Sequence, residues 1–419
     1  MAVAVIAFVV ALAVIASERV HRTKVALIGA AIVVLFTGSV YDQELAIEAI
    51  DFNTIGLLAG MMILVHLTQQ TGIYDYVAIK AGQLSKGRPF WVVISLAGTT
   101  AVLSAFLDNL TTILLIVPVT FLLADALDLD PIPLVVIEVI ASNIGGTATL
   151  IGDPPNIIIA GATGLTFNEF ITNLAPIVFV AFVVAIAVLY LFYRKRLQIP
   201  EENRRFVMEM DAASSIRDVG ELRRTGPVLI GTILLFFAHQ PLGIEPATVA
   251  LTGAAVALLV THQKLEESLA GIEWSTLFFF LGLFVMVGAL VATGAIGEVT
   301  NAISDLTQGD RAAELLGILW ISGLGSGVVD NIPFTTAMIP VVDSLNEADD
   351  DAYWWALALG ADFGGNMTII AAAANVAAAG LAERAGKPIG FVPFLRVGFP
   401  VTIMTLLLAT AYVTLRYIA

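Results

Sequence analysis

Long apolar runs recur from one end of this chain to the other, at 1–16, 25–40, 174–192 and 276–292 among others. About 20 predominantly apolar residues carry a helix across the ~30 Å hydrocarbon core of a bilayer, and only helices or closed barrels satisfy their backbone there. Runs of that length, separated by charged connections, predict an all-α polytopic membrane protein. Charge agrees, because 13% of the residues are charged against roughly 25% in soluble chains. The run at 1–16 has neither a basic region before it nor a small-residue cleavage site after it, so it reads as a first span and not as a secretory signal.

Several function classes fall away. The chain has no cysteine, which excludes disulfides, thiolate chemistry and Cys-ligated metal. Its formal charge of -15 comes without a basic stripe, so nucleic acid is not an expected partner. Gly152-Asp-Pro-Pro does not continue into a P-loop and no nucleotide-binding domain is attached. No enzyme or cofactor is expected, and the energy for any transport comes from an ion gradient or from an ATPase encoded elsewhere.

The runs divide into about 10 crossings and two re-entrant hairpins. In the first repeat, 1–200, crossings fall at 2–17, 24–40, 52–70, 133–163 (a broken helix) and 171–193, with a hairpin at 89–125. A linker at 201–224 follows. In the second repeat, 225–419, crossings fall at 225–239, 246–261, 274–292, 353–382 (broken) and 393–416, with a hairpin at 311–346. Basic residues in short connections mark the cytoplasmic side: Arg19, Arg22 and Lys24; Lys80, Lys86 and Arg88; Arg194 to Arg224; Arg384 and Lys387. The acidic run Asp349, Asp350 and Asp351 falls opposite. These counts expect an inner-membrane protein with both termini extracytoplasmic and the linker cytoplasmic.

The two halves match by residue. Asp51-Phe-Asn-Thr, Gly60, Thr71 and Gly72 fall on Glu273-Trp-Ser-Thr, Gly282, Thr293 and Gly294 at an offset of 222, as do Asp108-Asn onto Asp330-Asn and Pro118 onto Pro340. At an offset of 219, Asn143-Ile-Gly-Gly-Thr-Ala-Thr falls on Asp362-Phe-Gly-Gly-Asn-Met-Thr, and Asn156 on Asn375. An odd number of crossings per half inverts the second against the first. Inverted repeats with broken helices are a recurring transporter architecture, with the site near the midplane.

Polar residues inside the spans are the candidate site. Asp108 and Asn109, followed by Thr111 and Thr112, sit at one hairpin tip; Asp330 and Asn331, followed by Thr335, sit at the other. Each aspartate is also a good N-cap type, but intramembrane carboxylates are costly and mark function by default. Asn143, Thr147, Thr149, Asp153 and Asn156 lie in the first broken helix; Asp362, Asn366, Thr368 and Asn375 lie in the second. Asp153 is expected either to cap the helix that restarts at Pro154 or to take and release a proton. Glu138 is a further proton candidate, His66 reads as a packing residue, and His239 as interfacial.

Residues 142–156, Ser-Asn-Ile-Gly-Gly-Thr-Ala-Thr-Leu-Ile-Gly-Asp-Pro-Pro-Asn, with the Asp-Asn tips, resemble the ArsB/P-protein (NhaD-like) branch of the ion transporter superfamily, the arsenite/sodium permeases. The resemblance implies that superfamily's fold, a homodimer held by scaffold helices, and a substrate pocket at 107–112, 329–336, 142–156 and 362–375. It implies proton-coupled efflux of arsenite, antimonite or a related small inorganic solute, with an arsenical-pump ATPase as partner if the chain is an arsenite permease. The alternatives are a Na+/H+ antiporter and a sodium-coupled dicarboxylate symporter, so H+ and Na+ both stand as coupling ions.

Overall fold

Each apolar run becomes a helix in the computed structural model, which describes residues 1–17, 19–201, 203–346 and 350–419 and shows no strand among them. Asp349 lies outside the described residues. The first half contains α1 (Ala2–Ala16), α2 (Arg22–Phe36), α3 (Gln43–Glu48), α4 (Phe52–Gln70), α5 (Ile73–Leu84), α6 (Pro89–Phe106), α7 (Asn109–Ala126), α8 (Ile132–Gly146), α9 (Pro154–Thr163) and α10 (Phe167–Tyr193). The linker carries α11 (Arg204–Glu209). The second half repeats the series as α12 (Val219–Leu242), α13 (Pro246–Val260), α14 (Leu265–Leu269), α15 (Trp274–Ala292), α16 (Ala295–Thr307), α17 (Arg311–Val329), α18 (Asn331–Leu345), α19 (Ala352–Gly364), α20 (Ala373–Arg384) and α21 (Phe391–Val413).

The halves are interleaved. Helix α4 packs on α13 of the other half, and its counterpart α15 packs on α2. Helix association in lipid relies on close backbone approach between small residues. A Cβ on Gly60 would stand 2.7 Å from the Ala250 carbonyl carbon, and one on Gly282 would stand 2.7 Å from that of Ala26. The same contact made twice, with partners exchanged, is the mark of a pseudo-two-fold relation. It also pairs α2 with α13, which places Arg22 opposite Pro246.

Two elements were not anticipated. Helices α5 and α16 follow the third span of each half, where the sequence suggested only connections. They begin after Gly72 and Gly294, whose φ of 82° and 77° belongs to the left-handed region that glycine enters without cost. The matched Thr-Gly pairs are thus helix stops. A correction concerns the hairpins: α6 and α7 have 18 residues each and α17 has 19, about 27 Å at 1.5 Å per residue. These arms are long and apolar enough to cross a membrane. The chain reverses between them, where Asn109 and Asn331 are buried and donate to Asp153.

Candidate functional site

Both broken helices stop at a Gly-Gly pair because nothing larger fits there. A Cβ on Gly145 would lie 2.3 Å from the Ala101 carbonyl oxygen of α6, and one on Gly364 would lie 2.4 Å from the Gly323 oxygen of α17. Each break is thereby pressed against a hairpin. Ser104 Oγ donates to Ser142 O at 2.7 Å and Ser326 Oγ to Ala361 O at 2.5 Å. Thr368 Oγ1 donates to Gly327 O at 2.9 Å, as Thr149 Oγ1 does to Ala105 O.

The freed backbone is held by two matched asparagines. Asn156 Nδ2 donates to the Thr147 and Thr149 carbonyls at 3.2 and 2.9 Å, and Asn375 Nδ2 to the Gly365 and Thr368 carbonyls at 2.7 Å each. Asn143 Nδ2 crosses to the other half, with Asn375 Oδ1 at 2.9 Å and Asn366 Oδ1 at 3.2 Å. Buried carbonyls in lipid demand such partners, so these residues build the break before they bind anything.

Asp153 joins the two hairpins. Its Oδ2 accepts from Asn109 Nδ2 at 2.8 Å and its Oδ1 from Asn331 Nδ2 at 3.1 Å. Its carboxylate makes no capping hydrogen bond to α9, so the capping role expected for it is corrected: Pro154 and Pro155 remove the donors a cap would serve, and the oxygens turn to the tips. The tip aspartates do cap. Asp108 accepts from Thr111 N at 2.8 Å and from Thr111 Oγ1 at 2.5 Å, and Asp330 from Ile332 N at 3.0 Å. Asp362 is fully buried and neither oxygen has a hydrogen-bond partner. Its neighbours Thr147 and Asn156 already donate to backbone carbonyls. Thr112 Oγ1, Thr335 Oγ1 and Asn366 Nδ2 are buried without partners too.

Of the sixteen expected residues all but Asp108 and Thr111 are buried, and they converge from both tips and both breaks. Thr111 serves its own cap. Two residues were missed. Arg22, read as an orientation signal, reaches Asp330 with Nη1 3.2 Å from Oδ2 and lies over the Phe279 ring at 5.0 Å. Glu273 lines a small recess with Arg22, Asp108, Asn109 and Asn331, among apolar side chains such as Leu58 and Met62. The matched acids Asp51 and Glu273 carried a signal of the same kind as Asp108 and Asp330; Arg22 carried none, since its counterpart is Pro246. His239, expected to be interfacial, is buried in the last turn of α12: its Nε2 accepts from Phe167 N at 3.2 Å, capping α10, and Nδ1 donates to Ile244 O at 2.9 Å. His66 pairs with Gln70 at 2.7 Å, on its own helix.

A cavity of about 410 Å³ leads to Asp330 and is lined by Ile15, Val20, His21, Arg22 and Ala373, among others. The α1–α2 connection and the end of α4 lie on one face by helix parity, and Arg217 N of the linker donates to Thr71 O there at 2.9 Å. The cavity therefore opens to the linker face. A cleft of about 520 Å³ lies beside α3 and is lined by Asp51, Gly161 and apolar side chains, and none of the sixteen faces it.

Residues 12–360 match the family described as citrate transporter. The chain belongs to this citrate transporter family. An uncharacterized transporter of Mycobacterium tuberculosis is 45% identical over 422 residues, covering 99% of this chain and 98% of its own. The mouse P protein is 34% identical over 502 residues, covering all of this chain and 60% of its own length, in keeping with the P-protein likeness of residues 142–156. The crystal structure of the YdaH transporter of Alcanivorax borkumensis superposes with a TM-score of 0.58 at 14% identity, over 87% of this chain and 85% of that one, a likeness of fold. This citrate-transporter family member is a multi-pass membrane transporter.

Proposed function

We propose that this transporter is a secondary carrier coupled to a monovalent cation, and that it exchanges Na+ against H+ at the crossing of its broken helices. The observation that carries the reading is Asp153. A fully buried carboxylate, held by two neutral amides from opposite hairpins and neighboured by Asp362, Asp108 and Asp330, has no fixed counter-ion of its own. An ionised carboxylate in such a place costs several kcal/mol unless a charge compensates it. A proton or a sodium ion does so, and the two exclude one another on the same oxygens. Asp362, with no donor at either oxygen, adds a second acceptor of the same kind.

A second reading has its own support. The family's name concerns citrate, and Arg22 at the 410 Å³ cavity is the one basic side chain of the recess through which an anion could enter. Under that reading Na+ or H+ accompanies a carboxylate inward. Proton-driven efflux of arsenite or antimonite, implied by the ArsB resemblance, would use the same proton site with the small solute held by Asn and Thr side chains. An arsenical-pump ATPase belongs to that reading alone. We carry the homodimer, the inner membrane and extracytoplasmic termini as parts of the proposal.

Proteoliposomes loaded with a pH-sensitive dye decide between these. Addition of Na+ is expected to move protons in the absence of any other solute. If protons move only when citrate or As(III) is added, the exchange reading is wrong and the matching alternative takes its place.

A further inference from the structure

We propose that Arg22 is a tethered counter-ion for Asp330, which the coupling cation must displace before it binds. The inference rests on the cation-coupled reading above and assigns a role to a residue outside the expected site. Arg22 is the first residue of α2, which packs on α15, whereas Asp330 is the tip of the α17–α18 hairpin, which packs on α19. Their ion pair at 3.2 Å therefore ties the start of α2 to the hairpin tip, beside the packing of α18 on α15 and of α17 on α1. The guanidinium lies beside the tip and lines both the 410 Å³ cavity and the recess shared by Asp108, Asn109, Glu273 and Asn331.

The charges around the pair fix its meaning. Asp108, Asp153 and Glu273 surround this end of the site, His21 lines the cavity mouth, and Arg22 is the only permanent cation among them. Asp330 also has φ 148° and ψ 135°, a backbone region that L-residues rarely occupy and that carries strain. The tip is thus held in a strained position with its carboxylate facing the guanidinium. The matched place differs: Asp108 accepts from Thr111 in its own cap and only shares a recess with Arg22, and Pro246 stands where a second arginine would. A cation arriving at Asp330 competes with the paired guanidinium, while one arriving at Asp108 meets a carboxylate held by its own helix.

The test uses the full-length protein, with Na+ and H+ as the probes and two readouts: the half-saturating concentration for dye-reported transport, and that for the thermal shift of the purified protein. Arg22→Gln is expected to lower half-saturating Na+, or raise the half-maximal pH if H+ is the ligand, by about tenfold or one pH unit, which corresponds to ~1.4 kcal/mol. Arg22→Lys, which keeps the charge, is expected to stay within a factor of about three. A merely structural arginine would lower the maximal rate and leave half-saturation in place, and that result overturns the inference alone. A rise in half-saturating citrate in R22Q, with the cation response unchanged, overturns it in favour of anion binding. A wild type that responds to neither cation overturns the parent reading and this inference with it.

Discussion

Asp108 and Asp330 stand at matched positions in two inverted halves, yet Asp330 pairs with Arg22 at 3.2 Å, while Asp108, in a recess that Arg22 also lines, is held by Thr111 of its own cap. The same inequality recurs at the start of the third span. Asp51 accepts from Thr54 Oγ1, Thr54 lies 3.4 Å from Ile157 O, and a Cβ on Gly161 would meet Asp51 Oδ2 at 2.0 Å, so Asp51 and Thr54 pack on α9 beside the 520 Å³ cleft. At the matched corner Glu273 accepts from Thr276 at 3.0 Å and lines the recess, and nothing stands within 4 Å of a Cβ on Gly380. Backbone symmetry and charge asymmetry are thus separate layers. The first gives two equivalent hairpin tips; the second gives them unequal surroundings, with a cavity leading to Asp330 and a cleft beside Asp51.

The comparison breaks most sharply at the two breaks themselves. Asp153 has an amide on each oxygen, whereas Asp362 has none. Asp153→Asn is expected to lower cation-coupled flux by about 100-fold, because two hydrogen bonds to a charged group are each worth ~1.5 kcal/mol or more. Flux that survives D153N at more than a tenth of the wild-type rate moves the coupling site elsewhere. Asp362→Asn is expected to behave differently: flux falls by about tenfold, but the melting temperature rises, since an unpaired buried carboxylate is removed. Thermal unfolding in detergent reads the sign. A D362N protein less stable than wild type means that Asp362 has a partner in solution.

Much of this architecture was legible beforehand, for a physical reason. Residues that the bilayer and the inverted repeat both constrain appear twice, so Asn156 with Asn375 and Gly145 with Gly364 could be found by offset alone. What was missed occurs once or has two uses. Arg22 has the composition of an orientation signal and no repeat partner, and only the short α2, starting deep beside Glu273, brings it to the tip. Asp153 was expected either to cap the helix at Pro154 or to exchange a proton, but which way its oxygens turn depends on two hairpins more than 40 and 170 residues away.

If the symmetric layer is purely architectural, equal lesions in the two halves should cost equally. Gly60→Ala and Gly282→Ala each press a methyl into a backbone at 2.7 Å, and overpacking of this kind costs ~1–3 kcal/mol. Similar losses of thermal stability in the two variants, with half-saturating Na+ unchanged, are expected. A loss confined to one variant would mean that the interleaved helix pairs are not equivalent in the folded protein.

The smallest effect is expected where the first half carries polar groups that the second lacks. Glu138 on α8 is buried, its Oε1 accepting from Thr120 Oγ1 of α7 at 2.5 Å and its Oε2 without a partner; at the matched offsets stand Leu357 and Val342, both buried. Neither polar residue lines the cavity or the recess. Replacing the pair by its counterparts, Glu138→Leu with Thr120→Val, makes the first half resemble the second. Exchanging a buried polar pair for apolar groups of similar volume is often neutral or stabilising, so the double variant should melt within about 1 kcal/mol of wild type, or higher, with its cation response intact. A single Thr120→Val change, which leaves the carboxyl wholly unpartnered, should be worse than the double. Were the double variant to fold normally and yet lose the pH dependence of its flux, Glu138 would be a proton carrier in its own right, and the asymmetry between the halves would extend from the tips into the body of the hairpin.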